Sequence, residues 1–217
     1  MLRGGGIITT IGMGIRTIVF DFGNVLGFFS HRRAAEQLAA YGAAGSADAI
    51  QSYLFNGQLE DDFESGLLDS AAFRALVRDR CRLTCDDAQF DTAYADMFVP
   101  NSETCELLPE LRKRYRLVLL SNTTVLHSRW FLRQFADVVA NFHGVVLSHE
   151  VGVRKPHPRI YEHCLALADC QASECLFVDD LPVNIEAARA CGWQGIVYAP
   201  GGACVRQLSE LGVLVRG

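Results

Sequence analysis

The sequence predicts an α/β protein in which a doubly wound, Rossmann-like parallel sheet carries an inserted block of α-helices. The run Ile18-Val19-Phe20 is followed by an acidic residue, as at the end of a buried parallel strand. After Pro100, short apolar runs alternate with amphipathic segments, which is typical of a parallel sheet with connecting helices. Between these regions, residues 30–98 contain no convincing buried strand and follow a helical pattern.

The local patterns predict each element in turn. A first strand and turn span residues 16–26, and the inserted block contains helices over 32–41, 47–55 and 85–97. A further helix begins at Asp69-Ser70, both natural N-caps, after a break at Gly66. Beyond residue 100 we expect strands over 116–120, 144–147, 175–178 and 195–198, and helices around 107–111, 126–132, 156–167, 183–190 and 205–211.

Length and composition restrict the function. With 217 residues, 50% of them hydrophobic, the chain can bury a sizeable core. A net charge of -5 without a basic run argues against a nucleic-acid partner, and no apolar stretch reaches the ~18 residues of a membrane span. We therefore expect a cytoplasmic monomer or homodimer that binds a small metabolite. Eight cysteines without a Cys-x-x-Cys pair predict reduced, packed thiols.

The predicted domains are a Rossmann-like catalytic core over residues 15–29 and 99–217 and a helical block over residues 30–98. Residues 1–14, rich in glycine, are interpreted as an N-terminal extension with little fold content.

Polar residues recur where the predicted strands of the core end. Asp21 follows the first strand, Ser121-Asn122-Thr123 the second, and Asp179-Asp180 the strand over 175–178, while Lys155-Pro156 opens a helix. Strand ends of this kind meet at one edge of a doubly wound sheet, so we expect these residues to lie together. Each also has a structural explanation, as a turn former, a helix N-cap or a solvated charge, but their shared placement favours a functional site.

Phosphoryl transfer to a carboxylate needs such a set. Asp21 would attack phosphorus, Ser121 and the backbone N–H groups after it would bind phosphoryl oxygens, and Lys155 would neutralise charge. Carboxylates that converge on a dianion need a hard divalent cation, and oxygen ligands favour Mg²⁺. We expect Asp180, together with Asp179 and the carbonyl of Gly23, to bind this cation.

Together these motifs resemble those of the haloacid dehalogenase (HAD) superfamily, subfamily IA, over residues 16–193. The resemblance implies a Rossmann-like core with a helical cap domain that selects the substrate. It also implies roles for individual residues: Asp21, Ser121 and Lys155 in catalysis, Ser121, Asn122 and Lys155 in substrate binding, and Asp21, Gly23, Asp179 and Asp180 in Mg²⁺ binding.

Gly23 departs from the pattern of most HAD phosphatases, which carry at this position an Asp that protonates the leaving oxygen. A subgroup with the same Asp-x-Gly-Asn-Val sequence, and a segment similar to Phe63-Glu64-Ser65-Gly66, includes a bacterial α-D-glucose-1-phosphate phosphatase. The resemblance therefore implies hydrolysis of a small phosphate monoester, such as glucose 1-phosphate, whose anomeric oxygen is a good leaving group.

Two other functions stay open. A 2-haloacid dehalogenase would use Asp21 on carbon without a metal or a leaving-group acid, but the acidic pair Asp179-Asp180 favours the metal-dependent phosphatase. A catalytically weak binding or regulatory protein is the second alternative. In the helical block, His31 is a candidate proton donor or a hinge residue, and Glu64 and Arg33 are candidate sugar contacts that we interpret as solvated helix charges.

Overall fold

A computed structural model of the chain describes residues 14–42, 46–55 and 57–214. The predicted extension lies outside the described residues apart from its last position. The strands are β1 (Thr17–Phe20), β2 (Gly27–Phe29), β3 (Phe98–Pro100), β4 (Arg116–Ser121), β5 (Gly144–Leu147), β6 (Cys175–Asp179) and β7 (Gln194–Val197). Five of them form a parallel sheet in the order β5-β4-β1-β6-β7. This arrangement confirms the predicted α/β fold.

The helices in chain order are α1 (His31–Ala39), α2 (Ala47–Leu54), α3 (Gln58–Glu64), α4 (Ser70–Cys81), α5 (Asp87–Ala95), α6 (Ser102–Cys105), α7 (Leu108–Arg112), α8 (Val125–Gln134), α9 (Ala136–Val139), α10 (Ser148–Val151), α11 (Pro158–Ala168), α12 (Pro182–Ala190) and α13 (Ala203–Glu210). A 3₁₀ turn spans Ala172–Glu174. The longer helices lie within a few residues of their predicted positions, whereas α3, α6, α9 and α10 were not predicted. None of the described helices is long and apolar enough to cross a membrane.

Strand β1 lies at the centre of the sheet, with β4 and β6 as its neighbours. Phe20, its last residue, pairs with Leu119 of β4 and with Val178 of β6. Ile18 and Phe20 belong to the core on one face of the sheet, and Val19 belongs to the core on the other, because successive side chains of a strand point to opposite faces. The next residue therefore lies between the ends of two neighbouring strands.

A short antiparallel ribbon of β2 and β3, which the sequence analysis did not predict, joins the two chain segments that lead into the helical block. Phe28 pairs with Val99. Each strand has only three residues, too few to give a clear alternation of apolar and polar side chains. The ribbon holds the two ends of the block side by side at the edge where β1 ends.

The helices between β2 and β3, called here the helical insertion (residues 30–98), pack around an aromatic centre. The rings of Phe63 and Phe73 stack with centroids 4.1 Å apart, and Tyr94 lies 5.0 Å from Phe73. The Asp69 side chain accepts a 2.8 Å hydrogen bond from the backbone N–H of Ala72, which confirms the predicted N-cap of α4. These rings belong to the same core cluster as Ile18 and Phe20, so the apolar side of the insertion is continuous with the core on one face of the sheet.

Candidate active site

The ammonium group of Lys155 joins two of the strand ends. Its Nζ atom lies 2.7 Å from Oδ1 of Asp21 and 2.7 Å from Oδ2 of Asp179. It also donates a 3.2 Å hydrogen bond to the carbonyl of Leu120 and lies 5.4 Å from the centre of the Phe177 ring. The side chain is 1% exposed, so its charge is balanced by these partners and not by bulk water.

Asn122 fixes the backbone at Lys155. Its Nδ2 donates a 3.0 Å hydrogen bond to the carbonyl of Lys155, and its Oδ1 accepts a 2.8 Å bond from the N–H of the same residue. The following Lys155–Pro156 peptide bond is cis. Asn122, predicted to bind substrate, thus uses both side-chain groups to position the loop that carries Lys155.

Three carboxylates form a cluster at the ends of β1 and β6. One ligand oxygen each of Asp21, Asp179 and Asp180 lies within 4.8 Å of the others. Asp179 accepts hydrogen bonds of 2.9 and 3.1 Å from Nδ2 of Asn184, and Asp180 accepts one of 2.9 Å from Nδ2 of Asn24. These amides orient the carboxylates, and Asp180 keeps further oxygen lone pairs for another partner.

The cluster carries more negative than positive charge. Burial raises the pKa of Asp21 to about 7, with Lys155 opposing and Asp179 adding to this shift. Burial also raises the pKa of Asp180. Burial lowers the pKa of Lys155, but the two carboxylates beside it outweigh this effect and hold it above its ordinary value. A hard divalent cation would balance the charge, and an all-oxygen ligand set suits Mg²⁺.

The loop after β4 supplies the other side of the site. Ser121 ends the strand and is buried, and Thr124 caps α8 by accepting a 3.2 Å bond from the N–H of His127. Ser148 holds the loop, because its Oγ accepts a 2.9 Å bond from the N–H of Thr123 and lies 2.6 Å from the carbonyl of Glu64. One hydroxyl therefore connects this loop with the helical insertion.

A cavity of about 290 Å³ lies between the sheet edge and the insertion. Six of the seven predicted site residues line it, namely Asp21, Gly23, Ser121, Asn122, Lys155 and Asp180. Asp179 is fully buried and does not line the cavity. The insertion and the loops around it contribute His31, Glu60, Glu64 and Arg154 to the lining.

An aromatic ring occupies the space beside Gly23. A β-carbon built at Gly23 would lie 3.0 Å from Cε1 of Phe29 and 3.9 Å from Oδ2 of Asp21. The Phe29 ring packs against His31 and Phe98, with centroids 4.9 and 6.4 Å away. A side chain at position 23 would therefore require this ring to shift by a few tenths of an ångström.

The interpretation of Glu64 as a solvated charge is wrong. Its side chain is only 12% exposed, and its Oε2 lies 2.7 Å from Nε of Arg154. Burial and the neighbouring carboxylate of Glu60 raise the pKa of Glu64 to about 8. Arg33, in contrast, has a side chain that is 51% exposed and pairs with Asp96 on the surface.

His31, the first residue of α1, packs against aromatic side chains. Its ring stacks on Phe55 at 3.9 Å, and its Nε2 is 3.9 Å from a carboxylate oxygen of Glu60. Burial lowers the pKa of His31, which favours the neutral ring.

Sequence reasoning missed several residues that shape the site. Asn24 and Asn184 are each within a few positions of a predicted acidic residue, so proximity in sequence was an available signal. Ser148 and Arg154 bind groups more than 80 positions away in the chain. No local pattern reports a contact of that kind.

The sequence profile of the haloacid dehalogenase-like hydrolases matches residues 15–192. The chain belongs to this family. Among curated HAD relatives, a D-ribitol-5-phosphate phosphatase of Bacteroides thetaiotaomicron is 27% identical over 83% of this chain and 90% of its own length. A phosphatase of Mycobacterium tuberculosis is also 27% identical, over 94% of this chain and 99% of its own.

A solved HAD structure has the same architecture. A HAD family enzyme of Bacteroides thetaiotaomicron, crystallised with magnesium and inorganic phosphate, superposes with a TM-score of 0.75 at 26% identity. The match covers 87% of this chain and 96% of that one. The likeness extends over the sheet and beyond it into most of the chain.

Proposed function

We propose that this HAD hydrolase is a Mg²⁺-dependent phosphatase that acts on a small phosphate monoester through an aspartyl-phosphate on Asp21. The observation that carries the proposal is the contact of Lys155 with both Asp21 and Asp179, 2.7 Å each, beneath a cavity of about 290 Å³. The phosphatase relatives and the magnesium and phosphate bound in a solved neighbour support it.

The residues of the cluster have separate roles in this proposal. A carboxylate oxygen of Asp21 attacks phosphorus, and water later hydrolyses the aspartyl-phosphate. Ser121 and the backbone N–H groups after it bind the phosphoryl oxygens, while Lys155 stabilises the negative charge that develops on them. Asp21, Asp179, Asp180 and the carbonyl of Gly23 would hold Mg²⁺, which when bound offsets the charge of the phosphate and of its carboxylate ligands.

The cavity suits a small hydroxylated substrate. Its volume is at the lower end of the ~300–1,000 Å³ usual for small-molecule sites. His31, Glu60, Glu64 and Arg154 provide hydrogen-bond donors and acceptors opposite the nucleophile, as sugar or polyol hydroxyls require. This lining supports a sugar phosphate such as glucose 1-phosphate as the substrate in our proposal, and a relative's name suggests ribitol 5-phosphate.

In the same proposal the helical insertion acts as the cap that selects the substrate. The cytoplasmic location, the absence of a nucleic-acid partner and the monomeric or dimeric state remain predictions from the sequence.

The acidic pair at the end of β6 favours phosphatase over dehalogenase chemistry. Attack on the carbon of a 2-haloacid needs no metal, whereas Asp179 and Asp180 extend the carboxylate of Asp21 into a cluster suited to a divalent cation. A purely regulatory role would leave the buried ammonium and these three carboxylates without a chemical use.

The test is hydrolysis of a panel of phosphorylated metabolites and p-nitrophenyl phosphate, with Mg²⁺ or with EDTA. We expect phosphate release that needs Mg²⁺ and is abolished by Asp21→Asn, while Asp137→Asn, at an exposed acid on α9, retains it. Activity that is unchanged in Asp21→Asn, or chloride release from 2-chloropropionate in EDTA, would overturn the proposal.

A further inference from the structure

Phosphate esters of ordinary alcohols need a proton on the leaving oxygen, and the loop after β1 provides no acid for this step. Gly23 has no side chain, and Phe29 occupies the adjacent space. Of the described acidic residues that line the cavity, Asp21 and Asp180 belong to the carboxylate cluster. Glu60 and Glu64 remain, and both come from α3 of the insertion.

The two histidines of the cavity are poor proton donors. Burial lowers the pKa of His127 to about 3, and it lowers that of His31 as well, so both rings are neutral near pH 7. His127 also lies under the ring of Tyr94, with centroids 4.2 Å apart. Glu60 and Glu64 are therefore the acids of the described lining that could donate a proton.

Glu64 is fixed to the catalytic loop of the core. Its carbonyl accepts the 2.6 Å hydrogen bond from Ser148, whose hydroxyl also accepts from the N–H of Thr123, two residues after Ser121. At Gly66, where φ is +68°, a β-carbon would lie 2.3 Å from the carbonyl oxygen of His149. The chain immediately after the Glu64 side chain is thus held close against the core.

The carboxyl group of Glu64 lies in surroundings that favour its protonated form. Its Oε2 pairs with Nε of Arg154 at 2.7 Å, which by itself favours the carboxylate, but Arg154 is shared with Asp61 and burial outweighs this pairing. Burial, Glu60 and Asp21 raise the pKa of Glu64 to about 8, and Lys155 acts in the opposite direction.

One more group faces Glu64 from α5. The phenol of Tyr94 is buried and its pKa is raised well above the ordinary value, so it is neutral. With its pKa raised to about 8, Glu64 is a neutral carboxylic acid in the cavity near pH 7.

We propose that Glu64 is a catalytic residue that protonates the leaving oxygen, in place of the acid absent at position 23. This inference rests on the proposed phosphatase function. In the first step the Asp21 oxygen bonds to phosphorus, the bond from phosphorus to the ester oxygen breaks, and the Glu64 proton passes to that oxygen to form the alcohol. In the second step the Glu64 carboxylate takes a proton from the attacking water, the bond from phosphorus to Asp21 breaks, and inorganic phosphate is formed.

Leaving-group dependence of the Glu64→Gln variant tests this role. p-Nitrophenolate leaves without a proton, whereas the alkoxide of ribitol 5-phosphate or glucose 6-phosphate does not. We expect kcat/KM for the alkyl phosphates to fall about 10²–10⁴-fold and kcat/KM for p-nitrophenyl phosphate to change less than about threefold. The kcat for p-nitrophenyl phosphate should fall, because the second step also needs Glu64.

The pH profile gives a second readout. Wild-type kcat/KM for an alkyl phosphate should decrease as pH rises through about 8, since Glu64 must hold its proton, and the profile for p-nitrophenyl phosphate should lack this decrease. Asp61→Asn is the matched control, because it removes a contact to the same Arg154 from an exposed position and should keep the alkyl phosphate activity.

The outcomes separate this inference from the proposed function. Equal effects of Glu64→Gln on kcat/KM for both substrate types, or an equal loss in Asp61→Asn, would overturn the role of Glu64 while Asp21-dependent hydrolysis persists. A wild type that cleaves p-nitrophenyl phosphate but no alkyl phosphate would also overturn it. Absence of any Asp21-dependent hydrolysis would instead refute the phosphatase itself.

Discussion

The Ser148 hydroxyl joins the insertion to the catalytic loop, so Ser148→Ala should lower both stability and activity. The side chain is fully buried, and the substitution removes the 2.9 Å bond from the N–H of Thr123 and the 2.6 Å bond to the carbonyl of Glu64. Loss of the bond to the Glu64 carbonyl costs about 1 kcal/mol, and the buried N–H of Thr123, left without a partner, costs about 1–3 kcal/mol. The free energy of unfolding should fall by about 2–4 kcal/mol.

Urea unfolding followed by circular dichroism measures this change, and Tm should fall by roughly 2–4 °C per kcal/mol for a chain of this size. Ser128→Ala is the matched control, because Ser128 is equally buried but donates only to the carbonyl of Val125 in its own helix. We expect it to cost no more than about 1 kcal/mol. If Ser148→Ala and Ser128→Ala unfold at the same urea concentration, the hydroxyl does not connect the two parts of the molecule as described.

Two further substitutions test the core of the site. Lys155→Met should lower kcat/KM for p-nitrophenyl phosphate about 10²–10³-fold, because it removes the ammonium that faces the phosphoryl group, and an unchanged rate would contradict this role. Gly23→Asp should destabilise the protein by about 1–3 kcal/mol in urea unfolding, because the new side chain displaces Phe29, and it should not speed alkyl phosphate hydrolysis. Faster alkyl phosphate hydrolysis would show that the Phe29 ring moves aside at little energetic cost.

The regular part of the fold was predictable because its signals are local. The buried strand over residues 175–178 and the N-cap at Asp69 depend on neighbours within a few positions, and both are found where expected. The ribbon of β2 and β3 was not predictable, because its stability comes from pairing between residues about 70 positions apart. Three residues per strand do not establish a period.

The residues of the site also fall into two groups, those predictable from the sequence and those whose environment depends on tertiary contacts. Asp21, Asp179 and Asp180 each follow or end a strand, so the topology of a parallel sheet was enough to bring them together. The burial of Glu64 depends instead on how α3 docks against Arg154 and Ser148. The sequence around Glu64 alone indicates only the polar end of a helix. Tertiary docking determines that kind of environment, and a local pattern does not contain it.

An acid supplied by the insertion has an electrostatic consequence that an acid at position 23 would not have. A β-carbon there would lie 3.9 Å from Asp21 Oδ2, so an ionised carboxylate would add a negative charge beside three others and would repel a phosphate dianion. Phe29 in that space contributes no charge. Glu64, with its pKa raised to about 8, is neutral when the dianion enters and still holds the proton that the leaving oxygen needs. The Glu64 proton is thus available only while α3 is docked on the core. Proton transfer to the leaving oxygen therefore depends on the contact between the insertion and the core.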